Sequence, residues 1–354
     1  MTSAATGTDA PGDGTGPPGG SPAGRARPAN RLRLARLRDL ALVPPIVALL
    51  VYGWTLKPDL FLTKAYLVDT VLKYQTELAL VVLAEALVLI VGKFDLSLES
   101  VVGIAPAIAV FLVVGGADLP GTPWPTWTVL PVALLIGGLV GLFNGLLIVR
   151  FTLSAFIVTL AVLIALRGLQ LAVVGGATMS NLANRVPVID HLGSLRFLTL
   201  PISVWVVVVC FGVGIVVLGY TRVGRSLYAV GGNPAAARAA GIRVERVVWV
   251  TLVVAGVLAA FAGLMLSARL GSVAANQGDG MIFTVFAAAV IGGISLDGGK
   301  GTLFGALTGV VLLGLIQNVL TLAQVRADQI QAVNGLVILV ALVLARLTSG
   351  KAQD

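Results

Sequence analysis

Residues 141–171, GLFNGLLIVRFTLSAFIVTLAVLIALRGLQL, contain two long apolar runs separated by a short break at Arg150. A transmembrane helix needs about 20 mostly apolar residues to cross the hydrocarbon layer. Runs of this kind recur from Ala41 almost to the C-terminus of the 354-residue chain, with polar breaks between them. Hydrophobic residues make up 57% of the chain and charged residues only 11%, whereas soluble domains have roughly 25% charged residues. The composition predicts an all-α, polytopic membrane protein.

The breaks between apolar windows predict a bundle of ten transmembrane helices. The predicted spans are residues 41–56, 75–92, 97–115, 128–149, 154–174, 199–219, 247–268, 282–296, 302–322 and 329–346. We expect residues 39–348 to form the transmembrane domain and residues 1–38 a separate basic tail. The first 30 residues of this tail are rich in Gly, Pro, Ala, Ser and Thr and lack an apolar run, so they are predicted to be disordered.

Positive charges predict the orientation of the chain in a bacterial cytoplasmic membrane. Six arginines, from Arg25 to Arg38, directly precede the first span, and an even number of spans returns the C-terminus to the same side. With both termini in the cytoplasm, sixteen Lys and Arg residues lie on inside segments and seven on outside segments. This is the bias that the positive-inside rule describes, although Lys57, Lys64 and Lys73 between the first two spans run against it.

The sequence offers no set of residues for catalysis or metal binding. Cys210 is the only cysteine and lies in an apolar run, and the only histidine, His191, lies in a polar loop. Neither a cluster of metal ligands nor a Ser–His–acid triad is recognisable, and GGISLDGGKGT (292–302) lacks the spacing of a phosphate-binding loop. We predict no catalytic residue, no metal site, no cofactor bound by this chain and no nucleic-acid partner. A membrane-embedded enzyme is the weaker alternative.

Two polar breaks in comparable places of the two halves predict broken helices. The second span ends in VGKFDLSLES (91–100) and the eighth in IGGISLDGGKG (291–301), which puts Gly, Ser and Asp at membrane depth or at its edge. Short, Gly-interrupted segments in corresponding places of two halves indicate the binding site of a transporter, and ordinary small polar turns are the alternative. The candidate broken-helix residues are Asp95, Ser97, Ser295 and Asp297.

The stretch GGNPAAARAAGI (231–242) predicts a short helix within the 221–246 loop between two apolar spans. Asn233 is a good N-cap, Pro234 suits the first helical position, and Gly241 supplies a left-handed stop after an alanine-rich run. A helix of two turns, about 10 Å long, is marginal alone in water, so it needs a surface to lie against. A docking helix for a cytoplasmic partner and a basic loop resting on lipid headgroups both fit this composition.

Polar side chains within the spans are candidates for a translocation path. Charge inside the hydrocarbon layer is costly and usually faces protein or water, and the two clear cases, Glu85 and Arg167, could pair with each other across helices. Amides donate and accept hydrogen bonds and so suit a hydroxylated solute, but they also join helices to one another. The path candidates are Glu85, Asn144, Arg167, Gln170, Gln317 and Asn318.

TRVGRSLYAVGGNPAAARAAGI (221–242) resembles the cytoplasmic coupling segment of the ribose-type permeases, the membrane subunits of binding-protein-dependent ABC sugar importers. The resemblance covers nearly everything from residue 41 onward, and its further motifs follow the family's order. These motifs are FDLSLES (94–100), the stretch 141–171 quoted above, AGLMLSARLGS (262–272) and AAAVIGGISLDGGKGTLFGALTGVVLLGLIQNVLTL (287–322).

The resemblance implies a permease that translocates a pentose-like or hexose-like monosaccharide by alternating access. The partners it implies are a second, usually identical permease subunit, a cytoplasmic ATPase subunit that holds ATP and Mg²⁺, and an extracytoplasmic solute-binding protein. The residues it implies for coupling to the ATPase are Gly231, Gly232, Asn233, Pro234, Ala237, Arg238 and Gly241.

The chain departs from the family pattern at two places. Glu85 stands where the family usually has a small residue, and Ile282, Phe283 and Thr284 stand where many sugar permeases carry acidic residues. The solute is therefore open, because related permeases carry nucleosides, branched-chain amino acids or signalling furanosyl compounds. A self-sufficient, proton-coupled carrier that uses Glu85 and Arg167 is the alternative from another class.

Overall fold

The computed structural model describes residues 42–115 and 124–349. The predicted basic tail over residues 1–38 lies outside these ranges. Within them the chain is almost entirely helical, and each of the ten predicted spans overlaps one helix.

The ten helices that overlap the predicted spans are α1 (Val43–Leu56), α2 (Lys73–Ile90), α3 (Leu98–Val114), α4 (Val129–Gly145), α5 (Ala155–Val174), α7 (Ile202–Tyr220), α10 (Val244–Leu270), α11 (Met281–Ile291), α12 (Leu303–Leu322) and α13 (Ala327–Ser349). Three further helices are α6 (Pro187–Ser194), α8 (Arg222–Gly232) and α9 (Pro234–Ala239). Short π-helical segments precede α2 (Tyr66–Leu72) and extend α4 (Leu146–Arg150). Two strands, β1 (Arg196–Phe197) and β2 (Leu200–Pro201), form an antiparallel hairpin with Arg196 opposite Pro201.

Several of these helices are long and apolar enough to cross a membrane. Within the described ranges, five helical segments meet both criteria: Thr126–Arg150, Ala155–Val174, Ile202–Tyr220, Val244–Leu270 and Leu303–Leu322. Shorter apolar helices are α1, α3 and α11. The protein is a multi-pass helical membrane protein, as the composition predicts.

Some predicted boundaries are wrong, for local reasons. The span predicted at 282–296 ends as a helix at Ile291, because Gly293 adopts φ +88° and turns the chain. The span predicted at 199–219 begins as a helix at Ile202, after the hairpin that ends at Pro201. The sequence reasoning also missed α8, which Thr221 caps by accepting a hydrogen bond from the Gly224 amide at 3.3 Å.

Helix α10 lies at the centre of the bundle and packs against α2, α3, α4 and α6. Its closest approach is to α4, where glycines allow the two backbones to touch. A methyl group added at Gly137 would overlap the carbonyl oxygen of Gly256, and one added at Gly141 would overlap that of Leu252. Small residues at such contacts are how membrane helices gain close packing, since lipid tails are as apolar as the side chains.

Candidate functional site

Four glycines bring three separate segments into backbone contact, and we call them the glycine junction: Gly92, Gly231, Gly298 and Gly299. The amide of Gly299 donates to the carbonyl oxygen of Ile90 at the end of α2 (2.8 Å). A methyl group at Gly231, near the end of α8, would overlap that same oxygen. Gly92, Gly298 and Gly299 have φ values of +78°, +83° and +68°, a region that favours glycine. The junction therefore depends on residues without side chains.

The glycine junction joins the two loops that the sequence predicts as corresponding breaks. The segment after α2 contributes Gly92, and the segment between α11 and α12 contributes Gly298 and Gly299. Tyr228 of α8 adds a hydrogen bond from its hydroxyl to the carbonyl oxygen of Gly301 (2.8 Å). Any displacement of α8 must therefore move the ends of the helices that enter both loops.

The candidate loop residues have different environments in the two breaks. Asp95 and Ser97 are buried, and Asp95 accepts from the amide and the hydroxyl of Ser97 at 3.0 and 2.5 Å. Asp297 is exposed, and its amide donates to the hydroxyl oxygen of Ser295 at 3.3 Å. The first break thus places a carboxylate inside the protein, whereas the second presents one to its surroundings.

Helix α9 follows the glycine junction directly and has the ends that its sequence predicts. The Ala236 amide donates to Asn233 Oδ1 (3.0 Å), and Pro234 occupies the first turn. At the other end Gly241 adopts φ +82°, and the Ile242 amide donates to the carbonyl oxygen of Ala237 (3.0 Å). These contacts satisfy backbone groups that a helix of this length otherwise leaves open.

Helix α9 is exposed along most of its surface. Ala237 is its buried residue, with 3% of its surface accessible, and it anchors α9 to the bundle. Arg238 lies on the exposed side and pairs with Glu245 at the start of α10, with Nη2–Oε1 and Nε–Oε1 distances of 2.8 and 3.2 Å. An exposed pair of this kind contributes little to stability, because solvent screens its charges. The helix is thus a short, capped, alanine-rich surface held at one end by the glycine junction.

A second group of candidates forms a buried acidic and amide cluster between α2, α4 and the first break. Glu85 and Asn144 are fully buried, and Asp95 is 1% exposed. Glu85 accepts from the Asp95 amide at 3.4 Å, while the Asn144 side-chain amide donates to Ser97 Oγ at 2.8 Å and to Asp95 at 3.4 Å. No cation pairs with Glu85 or Asp95 among the described ion pairs.

Arg167 belongs to a different cluster, so the suggested Glu85–Arg167 pair is not formed. Its guanidinium contacts Glu99 at the start of α3 (2.8 Å) and Asp279 before α11 (3.1 Å). Glu99 in turn accepts from the Ile282 amide at the first turn of α11 (3.0 Å). The carboxylate of Glu99 therefore neutralises a half-buried arginine and caps the positive end of a short helix, where negative charge is favourable.

The segment between α10 and α11 folds back into the protein and is fastened there by two glutamines. Gln170 is fully buried and donates to the carbonyl oxygens of Ala274 and Ala275 at 3.3 and 3.1 Å. Gln277 donates to the carbonyl oxygens of Val102 and Gly263 at 2.9 and 3.1 Å. Irregular backbone at membrane depth is tolerated only when protein groups satisfy it, so these side chains hold the segment in place. Gln170 is part of this support.

Gln317 and Asn318, on α12, lie away from both clusters. Gln317 is exposed, and Asn318 is half-buried and accepts a hydrogen bond from the Tyr66 hydroxyl at 3.0 Å. The six path candidates therefore fall into three groups: Glu85 with Asn144, Arg167 with Gln170, and Gln317 with Asn318.

The sequence reasoning missed five polar residues that the structure brings into these sites: Glu77, Glu99, Arg269, Gln277 and Asp279. Glu77 and Arg269 pair at 2.9 Å between α2 and α10. The charged partners of these residues lie far away in sequence. A charge count within each predicted span would have found Glu77 and Glu99 as well as Glu85 and Arg167.

Comparison with known proteins identifies the family. The family described as "Branched-chain amino acid transport system / permease component" matches residues 67–345. The ribose import permease protein RbsC of Haemophilus influenzae is 32% identical over 287 residues, which covers 81% of this chain and 86% of that relative. The ribose import permease protein of Bacillus subtilis is 34% identical over 267 residues, covering 74% and 79%.

The autoinducer 2 import system permease protein LsrC of Klebsiella pneumoniae is 35% identical over 311 residues, covering 88% of this chain and 87% of that relative. No solved structure matches the chain. The family match spans well over half of the sequence, and the relatives named above align with about three quarters of this chain or more. The protein therefore belongs to the family of membrane permease components of transport systems that includes the ribose and autoinducer 2 import permeases.

Proposed function

We propose that this protein is the membrane-spanning subunit of an ABC importer that carries a pentose-like or hexose-like monosaccharide across a bacterial cytoplasmic membrane. The names of its relatives support the solute class, because they are import permeases for ribose and for autoinducer 2. Both termini and α9 face the cytoplasm in this proposal, in keeping with the distribution of positive charge along the chain.

The observation that carries the proposal is the way α9 is attached. The helix is exposed except at Ala237, and it follows Gly231, whose backbone touches the carbonyl oxygen of Ile90. A partner that closes on α9 pushes on the ends of α2 and α12 through the glycine junction. Alternating access requires this kind of rigid link between a motor and the broken helices around a solute path.

The energy source and the other subunits follow from the same proposal. ATP and Mg²⁺ bind to a separate ATPase subunit, a second identical permease completes the path, and an extracytoplasmic binding protein delivers the solute. The permease itself binds the solute weakly, because it must release what it receives. It holds no ATPase site of its own.

The alternative is a proton-coupled carrier that works through Glu85 and Arg167. Arg167 is engaged with Glu99 and Asp279, while Glu85 lies beside Asp95 and Asn144. Glu85 and Arg167 therefore do not contact each other, so they cannot pass a proton directly between them. This favours the ATP-driven importer.

Reconstitution distinguishes the two functions. The permease is purified together with its ATPase partner and placed in proteoliposomes. The vesicles are supplied with the binding protein and with labelled D-ribose, D-xylose, L-arabinose, autoinducer 2 or leucine. We expect uptake of a sugar or of the furanosyl signal only when ATP is present. Uptake by the permease alone under a pH gradient would establish the proton-coupled carrier instead. Uptake of leucine but of no sugar would show that the solute is an amino acid.

Variants of α9 test the coupling. We expect Arg238→Ala combined with Gly241→Ala to leave ATP hydrolysis running but to lower uptake at least ten-fold. Glu245→Ala is the matched control, because it removes the same 2.8 Å ion pair from the side of α10 and leaves α9 intact. Equal loss in the Glu245 variant would mean that Arg238 acts only through that pair, and unchanged uptake in the double variant would contradict the role of α9.

A further inference from the structure

A cavity of about 250 Å³ lies at the end of the bundle opposite α9. Helix α10 begins beside α9 at Val244 and ends 27 residues later at Leu270, a length of about 40 Å at 1.5 Å per residue. The cavity is lined from the last turns of α10, the first turns of α2 and the folded-back segment before α11. If α9 faces the cytoplasm, this cavity opens toward the side from which a solute arrives.

The wall of the cavity includes a carboxylate with one oxygen that lacks a hydrogen-bond partner. Glu77 Oε1 accepts from Arg269 Nε at 2.9 Å, but Glu77 Oε2 is buried and has no hydrogen-bond partner among the described residues. The Glu77 side chain is only 4% exposed. A buried acceptor without a donor is costly, at about 1–3 kcal/mol and more when charged. A bound molecule that reaches this oxygen through a shift of the surrounding side chains therefore supplies the missing donor.

The other lining groups suit a neutral molecule with several hydroxyl groups. Asp279 accepts hydrogen bonds, Asn276 both donates and accepts them, and Leu78 supplies an apolar wall. The Arg269 guanidinium lies 4.3 Å from the centre of the Tyr74 ring and is already paired with Glu77. An anion would meet two carboxylates, and a cation would meet this arginine. A hydroxylated solute uses the acceptors without adding a charge.

The volume of the cavity also suits a small solute. Pockets for drug-sized ligands measure roughly 300–1,000 Å³, so this cavity of about 250 Å³ fits a smaller molecule. We propose that the cavity between Tyr74, Glu77, Arg269, Asn276 and Asp279 is an entry site that binds one monosaccharide, in which a sugar hydroxyl donates to Glu77 Oε2 once the cavity wall opens around that oxygen. This inference rests on the proposed function, since it names the place where the permease first holds its solute.

The cavity is also connected to α11 through Asp279, which lies just before this helix. Asp279, whose side chain is 67% exposed, shares Arg167 with the buried Glu99. Glu99 accepts the backbone N–H of Ile282 at the start of α11 (3.0 Å). A sugar hydroxyl that donates to Asp279 competes with Arg167 for the same carboxylate. Binding therefore acts on the charge arrangement that caps α11.

Protection from cysteine labelling tests the site in the full-length protein. Cys210→Ser removes the one native thiol, and Asn276→Cys or Met281→Cys then places a reporter in the cavity wall. The purified variants in nanodiscs are treated with a charged methanethiosulfonate reagent, with and without D-ribose, D-xylose, L-arabinose, D-galactose or D-glucose. Asp59→Cys is the matched control, because Asp59 is exposed in the segment between α1 and α2, at the same end of the bundle.

We expect at least one sugar to slow labelling of both cavity cysteines and to leave Asp59→Cys unchanged. Adding Glu77→Gln should raise the half-protecting sugar concentration about ten-fold, the effect of weakening one hydrogen bond to a charged acceptor. Glu245→Gln, at the opposite end of α10, should not change it. If Glu77→Gln does not yield a monodisperse protein, Tyr74→Ala serves as the second cavity variant with the same expectation.

Protection by none of the five sugars, or equal protection in the cavity variant and in the Glu245 control, would overturn the inference. The reconstituted uptake assay is separate from this test. ATP-driven sugar uptake without protection of the cavity cysteines would refute the entry site and leave the proposed function standing. Protection of the cavity cysteines without ATP-driven uptake would support the entry site and refute the proposed function.

Discussion

Replacement of Gly231 by alanine tests whether the glycine junction is a close backbone contact. A Cβ at this position would overlap the carbonyl oxygen of Ile90 and would lie 2.6 Å from the Gly299 amide nitrogen. Neither atom belongs to a flexible side chain, so the α8 backbone must move away from α2. That movement separates α8 from the two atoms that form the 2.8 Å hydrogen bond between Gly299 and Ile90.

The expected cost follows from these contacts. Forcing an extra methyl group into a packed contact costs about 1–3 kcal/mol. We therefore expect Gly231→Ala to lower the free energy of unfolding by about 1–3 kcal/mol. Because native proteins are stable by only about 5–15 kcal/mol, this loss is large.

Gly232→Ala is the control, one residue along the same chain. A Cβ there meets no heavy atom within 4 Å, and Gly232 is exposed. We expect a change within about 0.5 kcal/mol, as for other exposed substitutions. Thermal unfolding of the two variants in detergent, followed by the fluorescence of the five tryptophans, measures the difference. If the Gly231 variant were as stable as the Gly232 variant, or more stable, the packing argument would be refuted.

Three further predictions concern the interior of the bundle. Arg167→Ala should lower the free energy of unfolding by about 3–5 kcal/mol, because it leaves the buried carboxylate of Glu99 unpaired. The control is Asp279→Asn, on the partner that is 67% exposed, which should cost under about 1 kcal/mol. Glu85→Gln should leave thermal stability unchanged or raise it. The amide oxygen can keep the 3.4 Å hydrogen bond, and no described ion pair depends on a charge at this position; a large loss would show that the carboxyl group itself is needed. Gly141→Ala should cost about 1–3 kcal/mol, because the added methyl group overlaps α10. Gly138→Ala should be tolerated, because the nearest atom to its added methyl group lies 3.4 Å away. SDS-induced unfolding measures the difference between the two variants.

Much of the fold could be predicted because its signals are local. A transmembrane helix shows itself as about 20 apolar residues in sequence, and each of the ten predicted spans overlaps a helix in the described residues. The caps of α9 are equally local, since Asn233 binds the amide of Ala236 and Gly241 turns the chain three residues after Arg238. Helix α8 was missed because its signal, a threonine cap before a basic stretch, also suits a polar loop.

The partners of the buried charges could not be predicted in this way. Arg167 finds Glu99 68 residues away and Asp279 112 residues away, rather than the suggested Glu85. The choice depends on which helix faces adjoin, and apolar sequence does not reveal those faces. Leu139 is 52% exposed and Leu252 is 1% exposed, yet both suit a span, because lipid tails are as apolar as a protein interior.

The amino-acid sequence thus determined the membrane class, the helices and the capped segment at Gly231–Ile242, since apolar length and helix caps act between residues a few positions apart. The glycine junction, the folded-back segment before α11 and the cavity around Glu77 arise only when distant helices pack. Close backbone approach and the pairing of buried charges are properties of neighbouring surfaces, and these surfaces exist only in the folded bundle.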